Sequence, residues 1–309
     1  MKKLIVPFIM LMISALLLST STFAWFSMNA TVQTTNMQVK AVADQGILIN
    51  EIATATDSHW DNTCTTNQTE GIKLHATSTA NTSTWYVAHS KVSNNSASAT
   101  SGTVSTNLTA EGYQTLGTSP YTISTETVSA SAGSNAQHDI AYVDKDSSGS
   151  YSNGEGYYVK YTYYLKSSAE ELTLNTAAGG RNVNISEISV TGNTASVDLD
   201  KSLRVAVVVN SKAYIFAPLS GATTTYYVAA SSTATTVLDH TTPQATALTT
   251  LPAVTADGVP VYIYLYFEGE DTNLKTDNIT STLDSLIVDV SFSLVTNETA
   301  VTDNGVAIS

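Results

Sequence analysis

The chain has little charge, little proline and one cysteine. Only 13% of its 309 residues are Asp, Glu, Lys or Arg, against roughly 25% in an ordinary soluble domain. Thirteen basic residues face 26 acidic ones, for a net charge of −13. That balance leaves no surplus to neutralise phosphates, so a nucleic-acid binder is excluded. A surface laced with ion-pair networks is excluded for the same reason. A single cysteine, Cys64, cannot form an internal disulfide. Six prolines and 16 glycines exclude collagen-like and proline-rich chains. What fills the chain is hydroxyl: 48 Thr and 37 Ser. Hydrophobic residues reach 42%, with 16 Tyr, enough to build a core. Thr and Tyr favour strands, so the composition predicts an acidic, Thr-rich, all-β protein.

The first residues predict a compartment. Lys2 and Lys3 precede an apolar run from Leu4 to Leu18, and Ser19–Ala24 is small and polar apart from Phe23. A basic start, an apolar stretch and a small-residue exit describe a signal helix. Residues 1–24 are therefore read as a signal peptide, cut after Ala24 by signal peptidase, with Thr22 and Ala24 at the −3 and −1 positions. The competing reading is an uncleaved anchor, since Leu4–Phe26 is 23 residues long. Cleavage removes two Lys and no acid, taking the charge from −13 to −15. The expected location is secreted, extracellular or at the cell surface, with membrane contact only through the leader before cleavage. The polar C-terminal residues 301–309 carry no sorting signal of the LPxTG kind. Retention at a surface is thus expected to come from non-covalent assembly or from the N-terminal segment.

Strict alternation marks half-buried strands. Tyr157, Val159, Tyr161, Tyr163 and Leu165 share one face of a segment, with Tyr158, Lys160, Thr162, Tyr164 and Lys166 opposite. Leu203–Val209, Val261–Phe267 and Leu286–Leu294 alternate in the same way. Met37–Ala43, Gly46–Ile52, Ile185–Val190, Ala213–Ala217 and Thr225–Val228 are weaker candidates. No helical period extends over three turns after the leader. Many strands without crossover helices predict an antiparallel β-sandwich of jelly-roll type, spanning residues 44–309. Two Thr/Ser-rich stretches, about 53–138 and 220–258, read as long insertions into it.

The run Thr22-Phe23-Ala24-Trp25-Phe26-Ser27, followed by Met37-Gln38-Val39-Lys40-Ala41, resembles the TasA/camelysin family of secreted proteins. The close match covers about 25 residues, and the insertion at 53–138 departs from smaller family members. The resemblance implies a subunit that self-assembles into extracellular fibres, pilus-like or part of a biofilm matrix. It implies that residues 25–43 leave their own subunit and add as a strand to the next one, the donor-strand form of β-augmentation. Trp25, Phe26, Met28, Val32, Met37, Val39 and Ala41 would then be the polymerising side chains, and the partner would be another copy of the chain. The residues fit, because Trp25–Asn36 has no proline and no charge to blunt an edge strand. The same residues would equally form the first strand of the chain's own sandwich. A different class of reading is a monomeric cell-surface adhesin, or a glycan- or protein-binding module, using the Thr-rich insertions or the Tyr ladders of 157–164 and 262–266.

The resemblance also raises peptidase chemistry, and the residues argue against an enzyme. His59, His75, His89, His138 and His240 form no H-E-x-x-H pair. There is no G-x-S-x-G elbow. Cys64 lies in Asn62-Thr63-Cys64-Thr65 with no adjacent base, apart from a distant pairing with His59. Glu268-Gly269-Glu270-Asp271 follows a strand and reads as a turn more readily than as an acid–base pair.

One motif carries metal chemistry. Asp144, Asp146, Ser148, Ser150 and Ser152, with Gly149 and a final Glu155, match the spacing of a twelve-residue calcium loop. Strand-like residues flank it instead of helices, so the reading is a calcium-clamped hairpin, against a plain solvated connection. No other cofactor is expected. Eight N-x-S/T sequons, at Asn29, Asn67, Asn81, Asn94, Asn107, Asn184, Asn278 and Asn297, follow mostly from an abundance of Asn, Ser and Thr.

Overall fold

A computed structural model describes residues 31–35, 37–43, 46–68, 72–88, 113–116, 123–129, 137–143, 155–168, 182–191, 199–226, 228, 235–239, 244–250, 256–271, 273–274, 282–284, 286–294 and 305–308. The described residues are mostly strand, with a short 3-10 turn at Leu199–Ser202. No helix among them is long and apolar enough to cross a membrane.

Three sheets share one core. The first contains β1 (Thr31–Thr35), β5 (Ile72–His75), β10 (Glu155–Gly156) and β20 (Thr282–Asp284), in the order β10-β5-β1-β20. The second contains β2 (Met37–Ala43), β4 (Thr63–Gln68), β12 (Asn182–Thr191), β18 (Gln244–Thr250) and β21 (Ile287–Leu294), in the order β18-β12-β21-β2-β4. The third and largest contains β8 (Ile123–Ser129), β9 (Gln137–Val143), β11 (Tyr158–Ser167), β13 (Leu203–Val209), β14 (Lys212–Ala217), β17 (Leu238–Asp239) and β19 (Val259–Phe267). Its order is β17-β14-β13-β19-β11-β9-β8, with β3 (Ile47–Asn50) beside β11 and β22 (Val306–Ala307) beside β14. Two small pairs, β6 (Tyr86–Ala88) with β7 (Tyr113–Thr115) and β15 (Thr225–Tyr226) with β16 (Thr235–Thr236), complete the set.

Alternation explains which side of each strand faces the core. Val159, Tyr161, Tyr163 and Leu165 of β11 join Val261, Ile263, Leu265 and Phe267 of β19 in it. Val39 and Ala41 of β2, Val288 and Val290 of β21, and Val32 of β1 belong to the same cluster. β12 departs from simple alternation: its register shifts between Ile185 and Glu187, a bulge that returns Ile188 to the core while Glu187 stays exposed. The β13–β14 hairpin closes through Asn210 and Ser211, both with positive φ (50° and 60°), as a two-residue turn matching the strand twist requires.

The sheets are mixed rather than purely antiparallel. β1–β20, β2–β21, β10–β5 and β14–β17 are parallel pairs. Each joins strands far apart in sequence, which alternation alone cannot register. The Thr-rich stretches also contribute strands to the main sheets. β4, β5 and β8 arise within 53–138, and β18 within 220–258.

A second apolar cluster covers the opposite face of the large sheet. Trp85, Val87, Val228 and Val237 pack there against Ala206, Ile215 and Tyr266. Trp85 stacks on Tyr158 with ring centres 4.5 Å apart and meets Tyr266 edge-on at 5.0 Å. Tyr158, Tyr264 and Tyr266 on this face of β11 and β19 are therefore packed against Trp85.

Candidate assembly strand and neighbouring polar groups

Both described N-terminal strands are inner strands. β1 runs between β5 and β20, with Val32 opposite Leu74. β2 runs between β21 and β4. Its sequence, MQVKAVA, alternates so that Met37, Val39, Ala41 and Ala43 are buried and Gln38, Lys40 and Val42 are half-buried. The buried side decreases in size along the strand. Ala41 lies opposite Val290 and Ala43 opposite Phe292, so small side chains meet large ones. Val32, Met37, Val39 and Ala41 are thus together in one core. Trp25, Phe26 and Met28 lie outside the described residues, as do Thr22 and Ala24.

A polar thread fastens this strand pair to the large sheet. The Tyr163 hydroxyl, buried in the core, lies 2.7 Å from Thr66 Oγ1 and 3.2 Å from the Val39 carbonyl oxygen. Thr66 in turn donates to the Glu51 carboxylate. An otherwise orphaned phenol thereby reaches a strand carbonyl and a side-chain hydroxyl.

The acidic turn after β19 is a structural knot. Arg204 is wholly buried and donates through Nη1 to the carbonyls of Lys201 and Leu203, both at 2.9 Å. Its Nη2 donates to the Thr223 carbonyl at 2.6 Å and to Asp271 Oδ2 at 2.5 Å. Asp271 also accepts from the backbone amides of Thr223 and Asn273. Glu268 is fully buried; its Oε1 accepts from the Glu270 amide, while its Oε2 has no hydrogen-bond partner among the described residues. Burial pushes the Glu268 carboxyl up to about 7, against the opposing pull of Arg204. No local pattern marks Arg204 as serving this turn, because it lies 67 positions from Asp271.

The remaining candidates stay apart. His59 Nδ1 is 2.8 Å from Asp57 Oδ1, and no hydrogen bond joins His59 to Cys64. Burial, then the charge of Glu51, pushes the Cys64 thiol up to about 12, the opposite of an activated nucleophile. Asp144, Asp146, Ser148, Ser150 and Ser152 lie outside the described residues. Glu155 begins β10 opposite Lys73. The strands flanking that loop, β9 and β11, form an antiparallel pair. Among the described residues no group of three or more His, Cys, Asp or Glu converges to hold a metal.

A scan against protein-family models found no match, and neither curated proteins nor solved structures gave one.

Proposed function

We propose that this chain is a secreted structural subunit that self-assembles into extracellular fibres, pilus-like or biofilm matrix, by donating its N-terminal β-strand to the neighbouring subunit. The reading places that strand on a jelly-roll sandwich and assigns no catalysis. The observation that supports it most is the position of β2. Its apolar face is fully enclosed, it is paired on both sides, and it precedes every other strand of its sheet in the chain. An N-terminal strand so enclosed can be supplied by a second copy with all its contacts preserved, so exchange between subunits costs little. Main-chain pairing supplies the affinity of such an insertion and the alternate side chains its specificity. The tyrosine-ladder form of the adhesin reading is weakened by Trp85, which packs on Tyr158 and Tyr266.

Negative-stain microscopy of the chain lacking residues 1–24, and of the chain lacking residues 1–43, tests this. Filaments from the longer form only are expected. Monomers from both would favour a surface adhesin.

A further inference from the structure

The apolar face of β2 prevents a one-residue slip, because that would turn Met37, Val39, Ala41 and Ala43 out of the core. A two-residue slip keeps the same face inward, so something else must oppose it. β2 carries one charge, Lys40, and β21 carries one, Asp289. The parallel register sets them directly opposite each other. On the far sides stand neutral residues: Thr65 of β4 beside Lys40 and Ser189 of β12 beside Asp289. Asp289 Oδ1 is shielded from solvent and accepts no hydrogen bond from any described residue. A shielded carboxylate oxygen calls for a counter-charge, and Lys40 is the basic residue that the register sets opposite it. A two-residue slip would place Lys40 opposite Ile287 or Ser291, and Val42 or Gln38 opposite Asp289.

We infer that Lys40 and Asp289 are the register- and partner-selecting pair of the inserted strand, Lys40 of one copy meeting Asp289 of the next copy of this chain. The inference rests on the strand-donation reading. Opposite charges facing each other across strands stabilise a pairing, and like charges destabilise it.

Charge reversal tests the pair in fibres formed by the secreted protein at low ionic strength, measured as pelleted mass and by negative stain. Lys40→Glu alone and Asp289→Lys alone each place like charges opposite each other. Each is expected to form about five-fold less fibre. The milder Lys40→Gln should lose less, which separates a register effect from failure to fold. An equimolar mixture of Lys40→Glu and Asp289→Lys subunits should recover fibre, because each strand then finds its complement in the other subunit. The double variant should recover it alone. Raised salt should shrink all these differences by screening. Wild-type assembly by the single variants would overturn the selecting pair and leave strand donation standing. Recovery in the double variant but not in the mixture would place the pair within one chain and overturn intermolecular donation. Absence of wild-type fibres would overturn the donation reading, and this inference with it.

Discussion

Arg204 and Asp271 form an ion pair with both side chains sealed from solvent, Nη2 to Oδ2 at 2.5 Å. The pair joins β13 to the turn after β19, and Thr223 closes the same knot. Removing one partner leaves the other charge buried and alone. Asp271→Ala is expected to cost about 3–5 kcal/mol, read from urea unfolding. Replacing Arg204 by Met in the same chain should cost less than the two single losses added together, because the double change removes both charges. Strict additivity would show that the two residues are not coupled.

Glu268 gives a pH dependence with a definite sign. Its folded-state pKa, near 7, lies above the ordinary 4.5. The folded state therefore holds a proton that the unfolded state releases between those values. The favourable contribution is complete below about pH 4.5, falls as pH rises towards 7, and is gone above it. The slope is at most about 1.4 kcal/mol per pH unit. Glu268→Gln, which stays neutral, should remove this slope. The difference in unfolding free energy between wild type and variant, followed from pH 4.5 to 8, checks it. Parallel curves would contradict the assignment.

Gly258 lies against two aromatic side chains. A Cβ there would lie 2.5 Å from Trp60 and 2.7 Å from Tyr164. The Trp60 ring must yield, abandoning its place 4.1 Å from the Lys166 ammonium, and because the Tyr164 atom in the way is its strand-anchored Cβ, the backbone at Gly258 must shift as well. Gly258→Ala is expected to cost about 1–3 kcal/mol by overpacking. Thermal unfolding measures the loss, and a red shift of tryptophan emission should accompany it.

Cys64 should be inert while the protein is folded. Burial, then Glu51, holds the thiol near pKa 12, so little thiolate exists at pH 8. Maleimide labelling at that pH should be slow in native protein and fast in urea. Fast native labelling would show that β4 opens readily.

Alternation made the principal strands legible. Val159–Leu165, Leu203–Val209, Val261–Phe267 and Leu286–Leu294 each present the side that the sequence pattern selects, because a period of two is a local property of the backbone. Tyr157, one residue before β11, instead joins the second cluster rather than the face that alternation groups it with. Local patterning also set the limits of β2, Met37–Ala43. It could not reveal the β12 bulge, which depends on pairing with β21. Nor could it assign Trp85 its place over Tyr158, since the polar residues around Trp85 resemble a solvated connection.

The acidic, Thr-rich, mostly β character of the chain and the apolar face of each main strand are legible in the order of its residues. Those follow from composition and near-neighbour spacing. Only the folded chain sets β2 between β21 and β4, Lys40 across from Asp289 in register, and the scarce charges Arg204, Glu268 and Asp271 together in the interior. These relationships join residues far apart in the chain. They arise from the register of long-range strand pairing, which no local pattern records. The low charge content thus acquires a second meaning: among the described residues, several of the few charges are placed where a strand's register or a buried turn depends on them.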